Sequence, residues 1–218
     1  MRLAVFGATG TVGSSVVEQA LAEGHEVRAL VRGRRRTSAP LPDAVEPVVG
    51  DARDPEAVLE TVAGTDAVLS SLGGFQDPES MSIGTGHILT AMRHHGIRRL
   101  VVMQGYHVDM PGDPHNIGKV VILPMLWLGN RRLIAASREM AAILQRSAVD
   151  WTLVRSPRVV AGARTGHVQT GHLRLSPMNH VRVGDLAAIM LGCLADPSTI
   201  GKAPMVSAVR ARSTSLAR

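Results

Sequence analysis

Cysteine is almost absent: Cys193 stands alone in 218 residues. No disulfide framework can form within the chain, and a reducing compartment is the simple reading. Aromatic residues make up only 2% of the sequence, too few for a platform on which nucleic-acid bases stack. Lysine is scarce as well, with Lys119 and Lys202 the only two, and arginine carries the rest of a net charge of +6. The arginines are spread along the chain, and the usage fits a GC-rich bacterial genome, so nucleic acid is not the expected partner. Long apolar runs are missing too. The longest, VVILPMLWLG, is about half of the roughly 20 residues a membrane-spanning helix needs. The N-terminus shows no basic start followed by an apolar segment and a cleavage site. A cytoplasmic protein without membrane contact is expected, acting as a monomer or homodimer.

What remains is an ordinary globular composition, 45% hydrophobic with a mean hydropathy of +0.12, and a length suited to one sizeable core. RLAVF reads as a buried strand. From Thr11, Val12, Val16, Val17, Ala20 and Leu21 form one face of a helix that Gly24 is placed to stop. HEVRALV and VEPVVG read as the second and third strands. DPEAVLETVAG reads as a helix with Asp54 as N-cap and Pro55 at its first position. DAVLSSLGG is a fourth strand, Met81 to His95 a helix, RRLVVM a fifth strand, and DWTLVRS a sixth. Asn130 is placed to cap one helix, and Asp185 to start a last one. Alternation with short connections predicts an α/β fold: a single Rossmann-type, doubly wound parallel sheet with helices on both faces. The expected domain is residues 1–208, with a substrate loop over about 104–131 at the strand C-terminal ends and a flexible tail over 209–218.

Gly7, Gly10 and Gly13 follow the first strand and open an amphipathic helix, the context that a dinucleotide-binding loop requires. Gly7 permits the tight turn, Gly10 leaves room for a pyrophosphate, and Gly13 lets the helix pack on the strand. The anion then lies at a helix N-terminus, where unpaired N–H groups and the dipole favour it. An NAD site usually has an acid at the end of the second strand, on the ribose 2′-hydroxyl. Here that place holds Arg32, and no Asp or Glu occurs from Val27 to Pro42. A guanidinium pairs with a 2′-phosphate that a carboxylate would repel, so NADP(H) is the expected cofactor.

AVFGATGTVG, VRALVR, VVGDARD, GTDAVLSSLG and VDWTLVRSPRVV, in that order, resemble the atypical short-chain dehydrogenase/reductases of the NAD(P)H-binding, NmrA-like kind. The flavin reductase and biliverdin reductase B type is the nearest branch, and the resemblance covers about residues 1–208. It implies that Thr9, Gly10, Thr11 and Val12 lie along the pyrophosphate and Arg32 at the 2′-phosphate. It implies that Asp51 and Ala52 flank the adenine, although Asp51 reads equally as a turn residue. Leu72, Gly73 and Gly74 would pass the adenosine ribose. Met103, Gln104, Gly105 and Tyr106 would face the nicotinamide, as would Pro157 and Val159 within the segment after the sixth strand.

The chain departs from that family at two chemical positions. Most short-chain dehydrogenases protonate a carbonyl with a tyrosine and a lysine four residues on; here the sole tyrosine, Tyr106, is followed at that distance by Met110. The flavin reductase relatives place a serine after strand five, where this chain has Gly105. Tyr106 and His107 are the candidate proton donors, His107 reading also as a solvent-exposed loop residue. His94 and His95 point apart on a helix, and His167 and His172 sit in loop sequence, so no metal site is expected. The apolar segment around Ile122 to Leu128 reads as a lid, a core segment or a subunit interface. The function expected is NADPH-dependent hydride transfer to a flat apolar or conjugated small molecule such as a flavin, quinone or polyketide-like compound. The alternatives are an NADP(H)-sensing regulator without turnover and a non-redox cyclase or isomerase.

Overall fold

The first strand of the sequence lies inside the sheet. β1 (Arg2–Phe6) alternates Leu3 and Val5 toward one face with Ala4 and Phe6 toward the other, and all four are buried, as an interior parallel strand requires. A computed structural model describes residues 1–33, 41–73, 77–114, 119, 124 and 128–209. β2 (Glu26–Val31) pairs with β1 and β3 (Val45–Val49) with β2. On the other side β4 (Ala67–Ser70) pairs with β1, β5 (Arg99–Gly105) with β4, and β6 (Asp150–Ser156) with β5, all parallel.

Two short strands extend the far edge. β10 (Met205–Ala208) pairs parallel with β6, and β8 (Val168–Gly171) pairs antiparallel with β10. The order is β3-β2-β1-β4-β5-β6-β10-β8. β7 (Arg158–Val160) and β9 (His180–Arg182) form a separate parallel pair. The fold is therefore the expected Rossmann-like α/β sheet, mostly parallel. It differs in the antiparallel edge and the small second sheet. Those four strands are three or four residues long, and VQTG and HVR carry little apolar signal, so their pairing is a tertiary effect.

Helices cover both faces. α1 (Thr11–Ala22) and α5 (Val183–Ala195) pack on one through Val16, Val17, Leu186 and Met190. α2 (Pro55–Val62), α3 (Glu79–His95) and α4 (Arg131–Arg146) pack on the other through Val58, Ile88, Met92, Leu133 and Met140. Each such side chain contributes about 1.5–3 kcal/mol when taken fully out of water. Asp54 caps α2 by accepting from the Glu56 N–H, with Pro55 in the first turn, and Asn130 caps α4 by accepting from the Leu133 N–H, both as the sequence predicts.

Asp185 corrects the expectation for the last helix. α5 begins at Val183, and the Asp185 carboxylate instead accepts from the backbone N–H groups of Thr165 and Gly166 and the Thr165 hydroxyl. It ties the loop after β7 to the helix. At the other end of α5, the Arg99 guanidinium donates to the carbonyls of Cys193 and Leu194, groups the helix itself leaves unpaired. Of the expected tail only Val209 lies among the described residues, and the apolar stretches 120–123 and 125–127 lie outside them. No helix among the described residues is long and apolar enough to cross a membrane.

Candidate functional site

The strand order reverses between β1 and β4, which run to opposite sides of the sheet. In open α/β sheets a crevice forms beyond the strand ends at such a point. Here a cleft of about 170 Å³ opens there. Gly7, Thr9 and Gly10 line it from the turn after β1, and Arg32 from the end of β2. Asp51 and Ala52 line it after β3, Leu72 and Gly73 after β4. Eight of the residues singled out from the sequence thus share one cavity, with Leu30, Ser71, Asp77 and Ser80 added to them. Gly74 lies outside the described residues.

The glycine turn is built by contact. Gly7 has φ +79°, and its carbonyl accepts from the Gly10 N–H at 2.9 Å. A Cβ on Gly7 would stand 2.8 Å from the Ser71 carbonyl oxygen, so β1 and β4 end too close together for any side chain. A Cβ on Gly13 would stand 2.0 Å from the Gly7 carbonyl oxygen, and the first turn of α1 rests on the strand end only because none is there. At Gly10 the nearest atom to such a Cβ is 3.3 Å away, so its bareness serves the open cleft more than the packing. Gly10 is also the N-cap of α1 and offers no side chain to its first-turn N–H groups. Uncapped first-turn donors of this kind are the groups with which a helix N-terminus receives an anion. Thr11, Val12 and Gly13 form that turn; Thr11 is exposed, while Val12 packs against the core on the α1 face. A nicotinamide dinucleotide's pyrophosphate fits this uncapped terminus.

Asp51 is the turn residue the sequence allowed, its carboxylate accepting from the Arg53 N–H, and it also lines the cleft. Arg32 is half-exposed at the mouth, and its guanidinium lies 3.6 Å from Asp77. No sequence motif marks Asp77. It precedes α3 and reaches both Arg32 and Arg53.

The expected nicotinamide end lies along β5 and β6, beside this cleft and not in its lining. Gly105 is opposite Ser156, whose carbonyl accepts from the Tyr106 N–H at 2.9 Å. Met103 is half-buried against the α1-side core. Gln104 turns away from the strand end, toward the Met81 sulfur at 2.6 Å, while its own amide oxygen accepts from the Gly105 N–H. Pro157 is buried, and Val159 on β7 packs against the α1-side core. Tyr106 is buried against Leu175 and Met205. Its hydroxyl has no hydrogen-bond partner among the described residues, and burial raises its pKa. The Ser156 hydroxyl is likewise buried and unpartnered there.

His107 is neither a free loop histidine nor a protonated acid. Its Nε2 lies 3.1 Å from the Ser137 hydroxyl, which itself donates to the Leu133 carbonyl, so Nε2 carries the hydrogen and Nδ1 is bare. Burial, then the charges of Lys119 and Arg138, lower its pKa to about 4. A Cβ at Gly105 would meet the Nδ1 at 2.5 Å. The imidazole therefore fills the space in which a side chain at position 105 would start, which accounts for glycine there.

Under this loop lies a charged cluster that the sequence reading missed. Arg155, on β6, is completely buried. Its guanidinium donates to both carboxylate oxygens of Asp113 and to the carbonyls of Val108 and Ala203. Lys119 joins it, 3.3 Å from Asp113 and 2.7 Å from Asp109. Burial would raise the Asp113 carboxyl, but the bond from Arg155 and the Met110 N–H outweigh it and hold the pKa at about 2. The signal was available: an arginine at an inward position of a strand, within DWTLVRS, needs a buried partner. Lys119 is committed to this cluster, and Lys202 is an exposed residue whose backbone bridges to β6 at Thr152; neither stands four residues after Tyr106.

The chain is 36% identical over 128 residues to a 3-diazoavenalumate denitrifying reductase of a Streptomyces species, a match covering 52% of this chain and 41% of that one. It is 34% identical over 108 residues to a 2-alkyl-3-oxoalkanoate reductase of Stenotrophomonas maltophilia, covering 46% of this chain and 32% of that one. The chain thus spans less than half the length of these curated relatives. Among solved structures, the oxidoreductase ylbE of Lactococcus lactis superposes with a TM-score of 0.79 at 17% identity, covering 96% of this chain and 92% of that one. The anaerobillin reductase ChuY of Escherichia coli gives a TM-score of 0.74 at 22% identity, covering 94% and 96%. At those identities the likeness is one of fold. A family model described as NAD(P)H-binding matches residues 7–197, across the glycine loop, the cleft and both strand ends, and the chain belongs to that NAD(P)H-binding family.

Proposed function

We propose that this chain is an NADPH-dependent oxidoreductase of the short-chain dehydrogenase/reductase kind, passing hydride to a flat apolar or conjugated small molecule such as a flavin or quinone. The observation that carries the reading is the cleft itself: an uncapped helix N-terminus under a glycine turn, with an arginine and no acid at the end of β2. The reductase relatives support the reaction class. When bound, the nicotinamide supplies the hydride. The residues of the chain hold and orient. The first turn of α1 receives the pyrophosphate, Arg32 the 2′-phosphate, and the ends of β5 and β6 form the floor beside the reacting ring.

Proton supply argues for the acceptor class. With its pKa lowered to about 4, His107 is neutral at pH 7 and has no imidazolium proton to give. Tyr106, pushed up by burial, is a neutral hydrogen-bond donor. A conjugated acceptor takes hydride without a strong protein acid and is protonated from water afterwards.

Fluorescence titration of NADPH and NADH tests the cofactor. NADPH binds more tightly, and Arg32→Ala weakens it by about 1.5–3 kcal/mol, the scale of charge-assisted hydrogen bonds, with little effect on NADH. Equal affinities in the unaltered protein would overturn the NADP(H) reading. NADPH oxidation measured against flavins, quinones and simple ketones tests the acceptor class.

A further inference from the structure

Three charged side chains from three different connections meet at the adenosine end of the cleft. Arg32 follows β2, Arg53 lies between β3 and α2, and Asp77 precedes α3. One Asp77 carboxylate oxygen is 3.6 Å from the Arg32 guanidinium, and the other is in hydrogen-bond contact with the Arg53 guanidinium. The Ser80 hydroxyl donates to the Asp77 carbonyl at 2.8 Å and fixes its backbone. Asp77 and Ser80 both line the cleft, and Asp77 is the least exposed of the three charges, its side chain 27% accessible against 52% for Arg32 and 44% for Arg53.

We propose that Asp77 is a second specificity-determining residue of the cofactor site, an internal anion that holds on Arg32 and Arg53 the place a 2′-phosphate would take. The inference rests on the reading of the cleft as a dinucleotide site. A dianionic phosphate and a carboxylate compete for the same guanidinium donors. Binding of a 2′-phosphorylated nucleotide therefore requires Asp77 to release both arginines. A nucleotide with a free 2′-hydroxyl makes no such demand, and its hydroxyl can donate to the carboxylate. One side chain thus works against NADP(H) and for NAD(H), narrowing the preference that Arg32 creates. Arg53 becomes the second phosphate donor once Asp77 lets go.

The experiment is calorimetric titration of 2′-AMP, AMP, NADPH and NADH into the intact protein, Asp77→Asn and Asp77→Ser, with far-UV circular dichroism to show that each variant is folded. Exposed ion pairs are weak, so the expected gain is moderate. Both variants bind 2′-AMP and NADPH about three- to tenfold more tightly than the intact protein, and AMP and NADH no more tightly. Arg53→Ala in the Asp77→Asn background removes most of the gain. Unchanged or weaker NADPH and 2′-AMP binding in both folded variants overturns the proposal. The cofactor reading is judged separately, by the intact protein alone: NADH binding as tightly as NADPH there refutes the NADP(H) preference and leaves the comparison between variants standing.

Discussion

At Gly13 a single methyl group would stand 2.0 Å from the Gly7 carbonyl oxygen, whereas at Gly10 it would stand 3.3 Å away. Two glycines of one motif therefore serve different ends. Gly13→Ala forces backbone apart in a packed region and costs about 3 kcal/mol or more of stability, the upper range for overpacking; urea denaturation measures it. Gly10→Val keeps its far-UV circular dichroism and loses NADPH binding, because the branched side chain fills the cleft and not the core. A Gly10→Val protein that binds NADPH normally would remove the glycine loop from the phosphate site. The motif was legible because its spacing repeats a steric requirement of the backbone. Asp77 was not, because nothing in its local sequence encodes a partner 45 residues earlier at Arg32.

At the scale of elements, the segment after β5 owes its shape to charge. Residues 106–113 fold back over β6 because Asp113 is held by a completely buried guanidinium and by Lys119. Replacing Asp113 with alanine leaves Arg155 charged and unpaired in the interior. The expected cost is about 3–5 kcal/mol, as for other broken buried pairs, and the urea midpoint of Asp113→Ala measures it. A loss below about 1 kcal/mol would mean that the carbonyls of Val108 and Ala203 satisfy Arg155 unaided. The caps of α2 and α4 were readable, since Asp54 and Asn130 bond within three residues of themselves. The role of Asp185 was not, because its partners lie about 20 residues back in a loop. Local bonds leave a local signature, and distant ones do not.

For the whole molecule, the alternation of apolar runs and helical faces gave the doubly wound sheet, and the short edge strands stayed hidden because their burial comes from neighbours. Acid sensitivity is a property at this scale. The pKa of His107 lies at about 4, below the ordinary 6.5, so the unfolded chain takes up the proton first. Stability is full above pH 6.5 and falls by about 3 kcal/mol as pH drops from 6.5 to 4. Asp113, held at about 2 against 3.8, continues the loss from pH 3.8 to 2. Urea midpoints across that range show both stages, and His107→Gln abolishes the upper one. A midpoint that stays level between pH 6.5 and 4 would refute the burial of a neutral imidazole.

The buried Arg155 donates two of its bonds to the Ala203 carbonyl, and β10, which follows at Met205, extends the sheet beside β6. A ribosome making this chain therefore releases β1 to β5, and Asp113 as counter-charge, long before it supplies the carbonyl that completes the bonding of Arg155. Until residue 203 emerges, the guanidinium on β6 lacks two of its buried hydrogen bonds. The nascent chain can therefore pack the sheet from β3 to β5 while the Arg155 guanidinium still waits in water beside Asp113, and the far edge of the sheet sets only when residues 203–208 arrive.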